Sequence, residues 1–360
     1  MRVLALTKYD MLAASSRQRF RQYQPALEAA GITIDYAPLL GDDHVAGLVD
    51  GRRLSKWRVV RAYAHRMATL LRASDYDALW VHYELFPYLP GLFERLVCLH
   101  HQPIIVDLDD AIFHNYDQAR SPLVRLLLGR KLEPLLRAAD TCCCGNAYLM
   151  HYAETFCPRS IVVPTVVDTD SYVPYPFRAE RALTIGWIGS PTTYSNLRYL
   201  LPLLHEIVSR HGVRVRIIGA GTAAERDRFY GLDLVEWSEA TEITDVQAMD
   251  IGVMPLVDQA FQRGKSGYKL IQYMACGLPV VASPVGVNSE IVEAGVNGFL
   301  ATTIDEWQSA LEQLIADAGL RQRMGNAGRH RAVERYSLQS QAPVLVDLFR
   351  SIGALNRPSK

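Results

Sequence analysis

Short apolar runs alternate along this chain with segments whose apolar residues recur at helical spacing. RVLAL (2–6), ITIDYA (32–37), ALWVHY (78–83), PIIVDL (103–108), TCCCG (141–145) and SIVVP (160–164) read as strands. Between them lie helical patterns such as RQYQPALEAAG, closed by a glycine of the kind that ends helices. A Pro-rich, aromatic stretch, VDTDSYVPYPFRAERA (167–182), breaks the pattern and reads as an interdomain connection. The alternation restarts with LTIGWIG (183–189), VRVRIIGAG (213–221), DLVEW (233–237), DIGVMPL (250–256), LPVVAS (278–283) and GFLA (298–301). Strands that alternate with helices build parallel sheets with crossover helices. The expectation is therefore an α/β protein of two doubly wound, Rossmann-like domains facing across a ligand cleft. Residues 1–172 are expected to form the N-terminal domain and 173–182 the linker. Residues 183–338 are expected to form the C-terminal domain, and 339–360 a last helix packing back toward the N-terminal domain.

Composition narrows the class. A chain of 360 residues is long for one core, which agrees with two domains. Lys plus Arg and Asp plus Glu both count 38, so no overall charge points to nucleic acid. Among the six cysteines, Cys142, Cys143 and Cys144 are consecutive, and a strand would send them to alternate faces. That rules out a cage for a metal or a disulfide framework, and free thiols fit a cytoplasmic protein. The N-terminus shows no secretory leader, and no apolar run is long enough to span a bilayer.

One local imbalance changes this picture. Residues 51–74 carry Arg52, Arg53, Lys56, Arg58, Arg61, Arg66 and Arg72 with no acid, while Trp57, Val60, Ala64, Met67 and Leu71 recur at helical spacing. Such a segment suits a helix lying on an anionic membrane, the inner face in a peripheral protein. It equally suits a stripe packed on the core with a solvated basic face.

The stretch GKSGYKLIQYMACGLPVVAS (264–283) carries the chemistry. Ser266 is placed to cap a helix that starts at Gly267 and ends at Gly277-Leu278-Pro279, with Leu270 and Met274 toward the sheet. A helix start with Lys265 and Lys269 beside it suits a diphosphate, and Gln272 a sugar hydroxyl. A solvated surface helix is the competing reading.

From Lys269 to Gly298 the run KLIQYMACGLPVVASPVGVNSEIVEAGVNG resembles the second domain of retaining glycosyltransferases of family 4, which have the two-domain GT-B fold. The resemblance continues in NAYLMHYAETFCPRSIVVPTVVDTDSY (146–172) and RQRMGNAGRHRAVERYSLQ (321–339). It implies transfer of a hexose-type sugar, with retention, from a nucleotide diphosphate donor to a glycan or lipid-linked acceptor in cell-surface polysaccharide synthesis. The nucleotide sugar is then a substrate, and neither cofactor nor metal is expected. Family members carry two glutamates eight apart on this helix, one for the sugar and one for the ribose. Gly264 and Gln272 stand in those places here. The family's Arg and Lys after the first strand of the second domain are replaced by Ser190 and Asn196 in GSPTTYSNL (189–197). Lys265 and Lys269 are therefore assigned to neutralise the leaving diphosphate. Ser190, Thr192, Thr193, Asn196, Gly219, Ser266, Gly267, Tyr268 and Gln272 are assigned to line the donor.

Other motifs compete. GAGTAA (219–224) after a strand fits the dinucleotide pattern, with Glu239 further on; the resemblance instead gives Gly219 to a loop passing close to the donor. PIIVDLDDAIFH (103–114) could be the nucleophile strand of a Mg²⁺-dependent aspartyl phosphohydrolase using Asp107 and Asp109. In the alternative, Asp109 orients the acceptor hydroxyl as a catalytic group and Asp110 lies beside it, or the pair caps the next helix. Arg17 and Arg19 in SSRQRF, with His82 and Glu84 at the end of a strand, complete the acceptor-side candidates. The replaced glutamates also admit a catalytically altered glycan- or nucleotide-binding relative.

Overall fold

The computed structural model describes residues 1–49, 55–99, 101–175 and 182–355, so Arg52, Arg53 and 176–181 of the linker lie outside the described residues. All twelve strand expectations are met. Strands β1 (Arg2–Leu6), β2 (Thr33–Tyr36), β3 (Ala78–His82), β4 (Ile104–Leu108), β5 (Thr141–Cys144) and β6 (Ser160–Val162) form a parallel sheet in the order β2-β1-β3-β4-β5-β6. Strands β7 (Thr184–Ile188), β8 (Arg214–Ile218), β9 (Leu232–Val235), β10 (Ile251–Met254), β11 (Val280–Ala282) and β12 (Gly298–Leu300) form a second, in the order β12-β11-β10-β7-β8-β9. Strand order reverses between β1 and β3 in the first sheet and between β7 and β10 in the second. Ligands of such sheets bind outside the carboxyl ends of the strands at those points.

Nine helices are used below: α1 (Ala14–Arg19), α2 (Lys56–Leu70), α3 (His114–Asp117), α4 (Pro122–Leu128), α5 (Ala147–Glu154), α6 (Glu242–Gln247), α7 (Tyr268–Ala275), α8 (Ala318–Arg335) and α9 (Leu338–Leu355). Among the described residues no helix is long and apolar enough to cross a membrane.

The chain forms two compact units. Unit 1 holds Met1–Thr165, Arg263–Ser266 and the chain from Gln341 onward; unit 2 holds Val166–Gln262 and Gly267–Ser340. The boundary thus falls ahead of 172. Val166, Val167 and Tyr172 are buried, and Val167 bridges to Ser337. Arg329 of α8 donates to the carbonyls of Thr169 (2.7 Å) and Tyr172, so this stretch is packed chain of unit 2 and not a tether.

The central strands are buried on both faces, which is why they read as continuous apolar runs. In unit 2 Ile185 and Trp187 pack on one face, while Ile188 packs on the other with Leu270 and Met274 of α7. In unit 1 Trp80 is fully buried, with its ring 4.1 Å from Phe20 and 5.2 Å from Phe349 of α9.

The basic segment forms α2, and its apolar stripe divides. Leu70 is buried and Met67 packs on the core, whereas Trp57 is 78% and Leu71 73% exposed. Arg66 departs from a solvated basic face: it is buried, donates to the Thr7 carbonyl at 2.6 Å, and burial pulls its pKa down to about 10 against the charge of Glu94.

Candidate functional site

In unit 2, α7 begins one residue later than its sequence suggests. Gly267, not Ser266, is the N-cap, with φ 67° in the left-handed region, so the Ser266 hydroxyl makes no cap. The far end closes as expected. The Gly277 and Leu278 amides bond back to the carbonyls of Met274 and Tyr273, both at 2.9 Å, which is a Schellman closure. Tyr273 fixes the helix to the sheet: its hydroxyl accepts from the Ile188 amide at 2.9 Å, at the carboxyl end of β7.

That docking sets the position of Lys269. Its ammonium lies 5.4 Å from the centre of the Trp187 ring on β7, a cation–π distance. The turn after β7 is a knot of hydroxyls. Ser190 Oγ lies 2.9 Å from Thr192 Oγ1 and 3.3 Å from Thr193 Oγ1, and the Ser190 amide donates to Thr193 Oγ1 at 3.0 Å. A side chain at Gly189 would meet both Trp187 Cη2 (2.4 Å) and Thr193 Oγ1 (2.7 Å), so this turn lies directly against the same ring. Asn196, assigned to the donor, is instead buried in the short helix that follows. Gly219 also belongs to this corner. A Cβ there would stand 2.3 Å from the Gly189 carbonyl oxygen, so two backbones touch at the ends of β7 and β8. The GAGTAA segment continues as a 3-10 run, Gly221–Asp227, and not as the α-helix a dinucleotide fingerprint needs.

Gln272 departs from its assignment. It is buried, and its amide donates to Glu242 Oε1 of α6 (2.8 Å) and to the Tyr172 hydroxyl (3.0 Å). Glu242 also accepts from the Tyr172 hydroxyl and from Trp237 Nε1 (2.5 Å). Burial and the nearby charge of Glu242 push the Tyr172 phenol well above its ordinary pKa, so it stays a donor. Gln272 therefore organises a carboxylate, and the half-buried Glu242 and Trp237 are unit 2 candidates that sequence reasoning missed. No spacing signal links positions 172, 237, 242 and 272; only the fold collects them.

In unit 1 the candidates separate into those at the surface of the site and those beneath it. Asp109 follows β4 and accepts from His82 Nε2 at 3.2 Å. Burial raises the Asp109 carboxyl's pKa, but the His82 hydrogen bond and charge, with Arg19 and Tyr83, more than reverse this and hold it below the ordinary aspartate value. His82 itself is fully buried, stacked 3.8 Å from Tyr83, whose φ of 64° marks strained backbone at the strand end. Asp110 pairs with Lys265, at 3.0 and 3.1 Å. Burial pushes the Asp110 carboxyl up against the pull of Lys265, and the Asp109 charge adds to the push. The two adjacent carboxyls are driven apart, Asp109 toward the ionised form.

Two acceptor-side assignments are corrected by burial. Arg19 does not face a ligand: it is 2% exposed, donates to Asp107 Oδ1 (2.8 Å) and Oδ2 (3.1 Å), and reaches the Val163 carbonyl at 2.6 Å. Asp107 is thereby consumed, so the strand lacks the free nucleophile a phosphohydrolase requires. Glu84 is 1% exposed and accepts from Lys8 (3.2 Å) and Tyr116 (2.7 Å), with Lys131 at 3.4 Å. Lys131 in turn pairs with Glu94, an inner network invisible to sequence spacing. Arg17 is at the surface but spans the preceding loop, donating to the carbonyls of Met11 (2.8 Å) and Leu12 (2.9 Å).

Gly264 explains one lost family glutamate. A Cβ there would lie 2.5 Å from Ala111 Cβ and 2.8 Å from the Ala111 amide nitrogen, so no side chain fits. The Asn146 side chain, which also caps α5, donates to the Lys265 carbonyl at 3.0 Å and holds the same segment.

Two doubly wound parallel sheets of these orders are those of the GT-B glycosyltransferase fold. The structure aligns over 99% of its length with all of sucrose-phosphate synthase from Thermosynechococcus elongatus (TM-score 0.75, 16% identity). It aligns over 98% with all of Anabaena HepE solved with UDP-glucose (TM-score 0.71, 15% identity). Residues 182–317 match the model of the family described as glycosyl transferases group 1. A D-inositol 3-phosphate glycosyltransferase of Corynebacterium jeikeium is 27% identical over 221 residues, 53% of this chain and 51% of that protein. The chain spans about half the length, or less, of the curated relatives it matches.

Proposed function

We propose that this chain transfers a hexose-type sugar, with retention, from a nucleoside diphosphate donor to a glycan or lipid-linked acceptor used in cell-surface polysaccharide. The observation that carries the reading is the corner at the end of β7, where the Lys269 ammonium and the Ser190–Thr192–Thr193 hydroxyls flank one Trp187 ring. A fixed cation beside convergent hydroxyls at a strand's carboxyl end suits a diphosphate, and charge-assisted bonds are about twice as strong as neutral ones. In this reading Lys269 neutralises the departing diphosphate, which itself takes the acceptor's proton. The chemistry then rests on positioning and charge stabilisation. Lys265 has a lesser part because Asp110 already pairs with it. Asp109, ionised and aimed by His82, orients the acceptor hydroxyl in unit 1. The half-exposed carboxylate of Glu242, beside Trp237, is the polar anchor for the nucleoside. The exposed Trp57 and Val60 of α2, with Lys56, Arg58 and Arg61, fit an anionic membrane surface better than a core stripe.

The test is a thermal-shift panel. A nucleoside diphosphate at a hundredfold excess over its dissociation constant adds about 2.7 kcal/mol of stability, and nicotinamide dinucleotides add none. Lys269→Ala weakens the diphosphate far more than the free nucleoside and raises the transfer barrier by about 2.7–4 kcal/mol, with Lys269→Arg recovering part. Equal binding and turnover by Lys269→Ala would remove the assignment. The closed space at Gly264 favours one second reading, a relative that binds the donor without transferring it. Nucleotide release from a bound sugar donor decides between them.

A further inference from the structure

The loop that leaves the carboxyl end of β3 carries one aromatic ring out to solvent. Residues 81–87 are all buried, whereas Tyr88 is 69% exposed. Its φ of 61° lies in the left-handed region, which is costly for a residue with a bulky side chain. Strain of that kind persists only where the surroundings enforce it, and it gathers at ligand sites. Here the surroundings do enforce it. The Tyr88 amide donates at 3.2 Å to the hydroxyl of Tyr116, on α3 just ahead of α4. The two rings stand at 74° with their centres 5.7 Å apart. The Tyr116 hydroxyl is itself fixed by Glu84 at 2.7 Å, and the Tyr63 hydroxyl of α2 donates to the Pro87 carbonyl. Pro87 and Pro90 bracket Tyr88 and limit the backbone further. An exposed ring held this firmly gives up little freedom on binding.

We infer that Tyr88 is a stacking platform for a neutral saccharide, so that the group receiving the transferred sugar is itself a sugar ring. A pyranose has a flat face of C–H groups rimmed by hydroxyls, and that face packs on an aromatic ring. The position fits a ligand, because the loops after β1 and β3 flank the point where strand order reverses in this sheet. Lys8, on the loop after β1, stands near the Tyr88 phenol and donates to Glu84 at 3.2 Å. Burial lowers the Lys8 pKa, but the Glu84 charge more than reverses this and keeps the ammonium charged. Lys131 and Glu94 behind them add one charge of each sign, so the group is neutral as a whole. A neutral, paired rim suits hydroxyls, whereas a phosphate-bearing acceptor wants a cation not already matched by a carboxylate. The role of this saccharide as acceptor rests on the transfer reading; the stacking site does not.

The experiment is saturation-transfer NMR on the full chain with the methyl α-pyranosides of glucose, galactose, mannose and N-acetylglucosamine. Farnesyl phosphate serves as the lipid-phosphate probe. At least one glycoside takes up saturation on the C–H groups of one ring face. Tyr88→Ala and Tyr88→Gly weaken that glycoside about tenfold or more, and Tyr88→Phe retains it. Glycine is at ease with a positive φ, so Tyr88→Gly unfolds no earlier than the parent and its loss of binding is not a loss of fold. The inference is overturned if no glycoside binds, if Tyr88→Gly binds as the parent does, or if farnesyl phosphate alone depends on Tyr88. Thermal shift by a nucleoside diphosphate, run beside it, separates the two readings. A shift without glycoside binding leaves the transfer reading standing and removes this site. Glycoside binding without a shift keeps the site and removes the transfer.

Discussion

Replacing Gln272 by glutamate restores the family's carboxylate, and the structure makes that substitution costly. The amide of Gln272 donates to Glu242 at 2.8 Å and to Tyr172 at 3.0 Å. Gln272→Glu removes both donors and sets two carboxyl groups against each other in a buried place. A hydrogen bond to a charged group is worth about 1.5–3 kcal/mol. Two carboxylates at such a distance do not both ionise, so the pair retains a proton. Holding one glutamic acid protonated at pH 7, against an ordinary value of about 4.3, costs about 1.4 kcal/mol per unit, or close to 4 kcal/mol. The retained proton restores one donor, and the other stays lost, so the net loss is about 4–5 kcal/mol. The sign of the pH dependence follows from linkage. The folded variant binds a proton that its unfolded chain releases above about pH 4.3, so its stability falls as pH rises. Relative to the parent, the deficit shrinks by about 1.4 kcal/mol for each pH unit of acidification toward that value. Urea unfolding of parent and Gln272→Glu between pH 5 and 8, read in the transition of unit 2, checks this. A deficit that is absent, or that does not change with pH, would refute the donor role of the amide.

Arg19→Met leaves Asp107 unpaired in the core of unit 1 and costs about 3–5 kcal/mol in the urea transition of that unit; a cost under 1 kcal/mol would mean the pair is solvated. Gly264→Ala forces a methyl to within 2.8 Å of the Ala111 nitrogen. Overpacking of this kind costs about 1–3 kcal/mol, and an unchanged melting curve would show that the segment gives way freely.

The architecture was legible because each strand is an apolar run bounded by turn residues. Even the three-residue strands β6, β11 and β12 announced themselves through Ile161-Val162, Val280-Val281 and Phe299-Leu300. The site was legible only in part. Lys269, Ser190, Thr192 and Thr193 could be picked out as candidates because strand ends and helix starts are readable positions, and the fold gathers them at one corner. Arg19, Glu84 and Gln272 were misassigned because polar type alone does not tell a ligand-facing residue from one satisfied inside the core. Asp107 is 88 residues from Arg19, and Glu242 is 30 from Gln272; partners that far apart leave no local signature. Ser266 was misread because a good capping residue lost to a left-handed glycine one step on.

The pairing of Trp80 with Phe349 bears on how the chain is made. Unit 1 is begun first and completed last, since α9 supplies Phe349 and Ile352 to its interior and Gly353 lies against Met1. At ordinary synthesis rates the ribosome takes on the order of ten to forty seconds to travel from the end of β6 to α9. For that interval the Trp80 side of the nascent sheet lacks its cover, a window in which chaperones rather than native contacts must shield it. Truncation before α9 makes that window permanent. Loss of this helix should therefore surface as insolubility of unit 1, although the missing residues follow the whole of unit 2 along the chain.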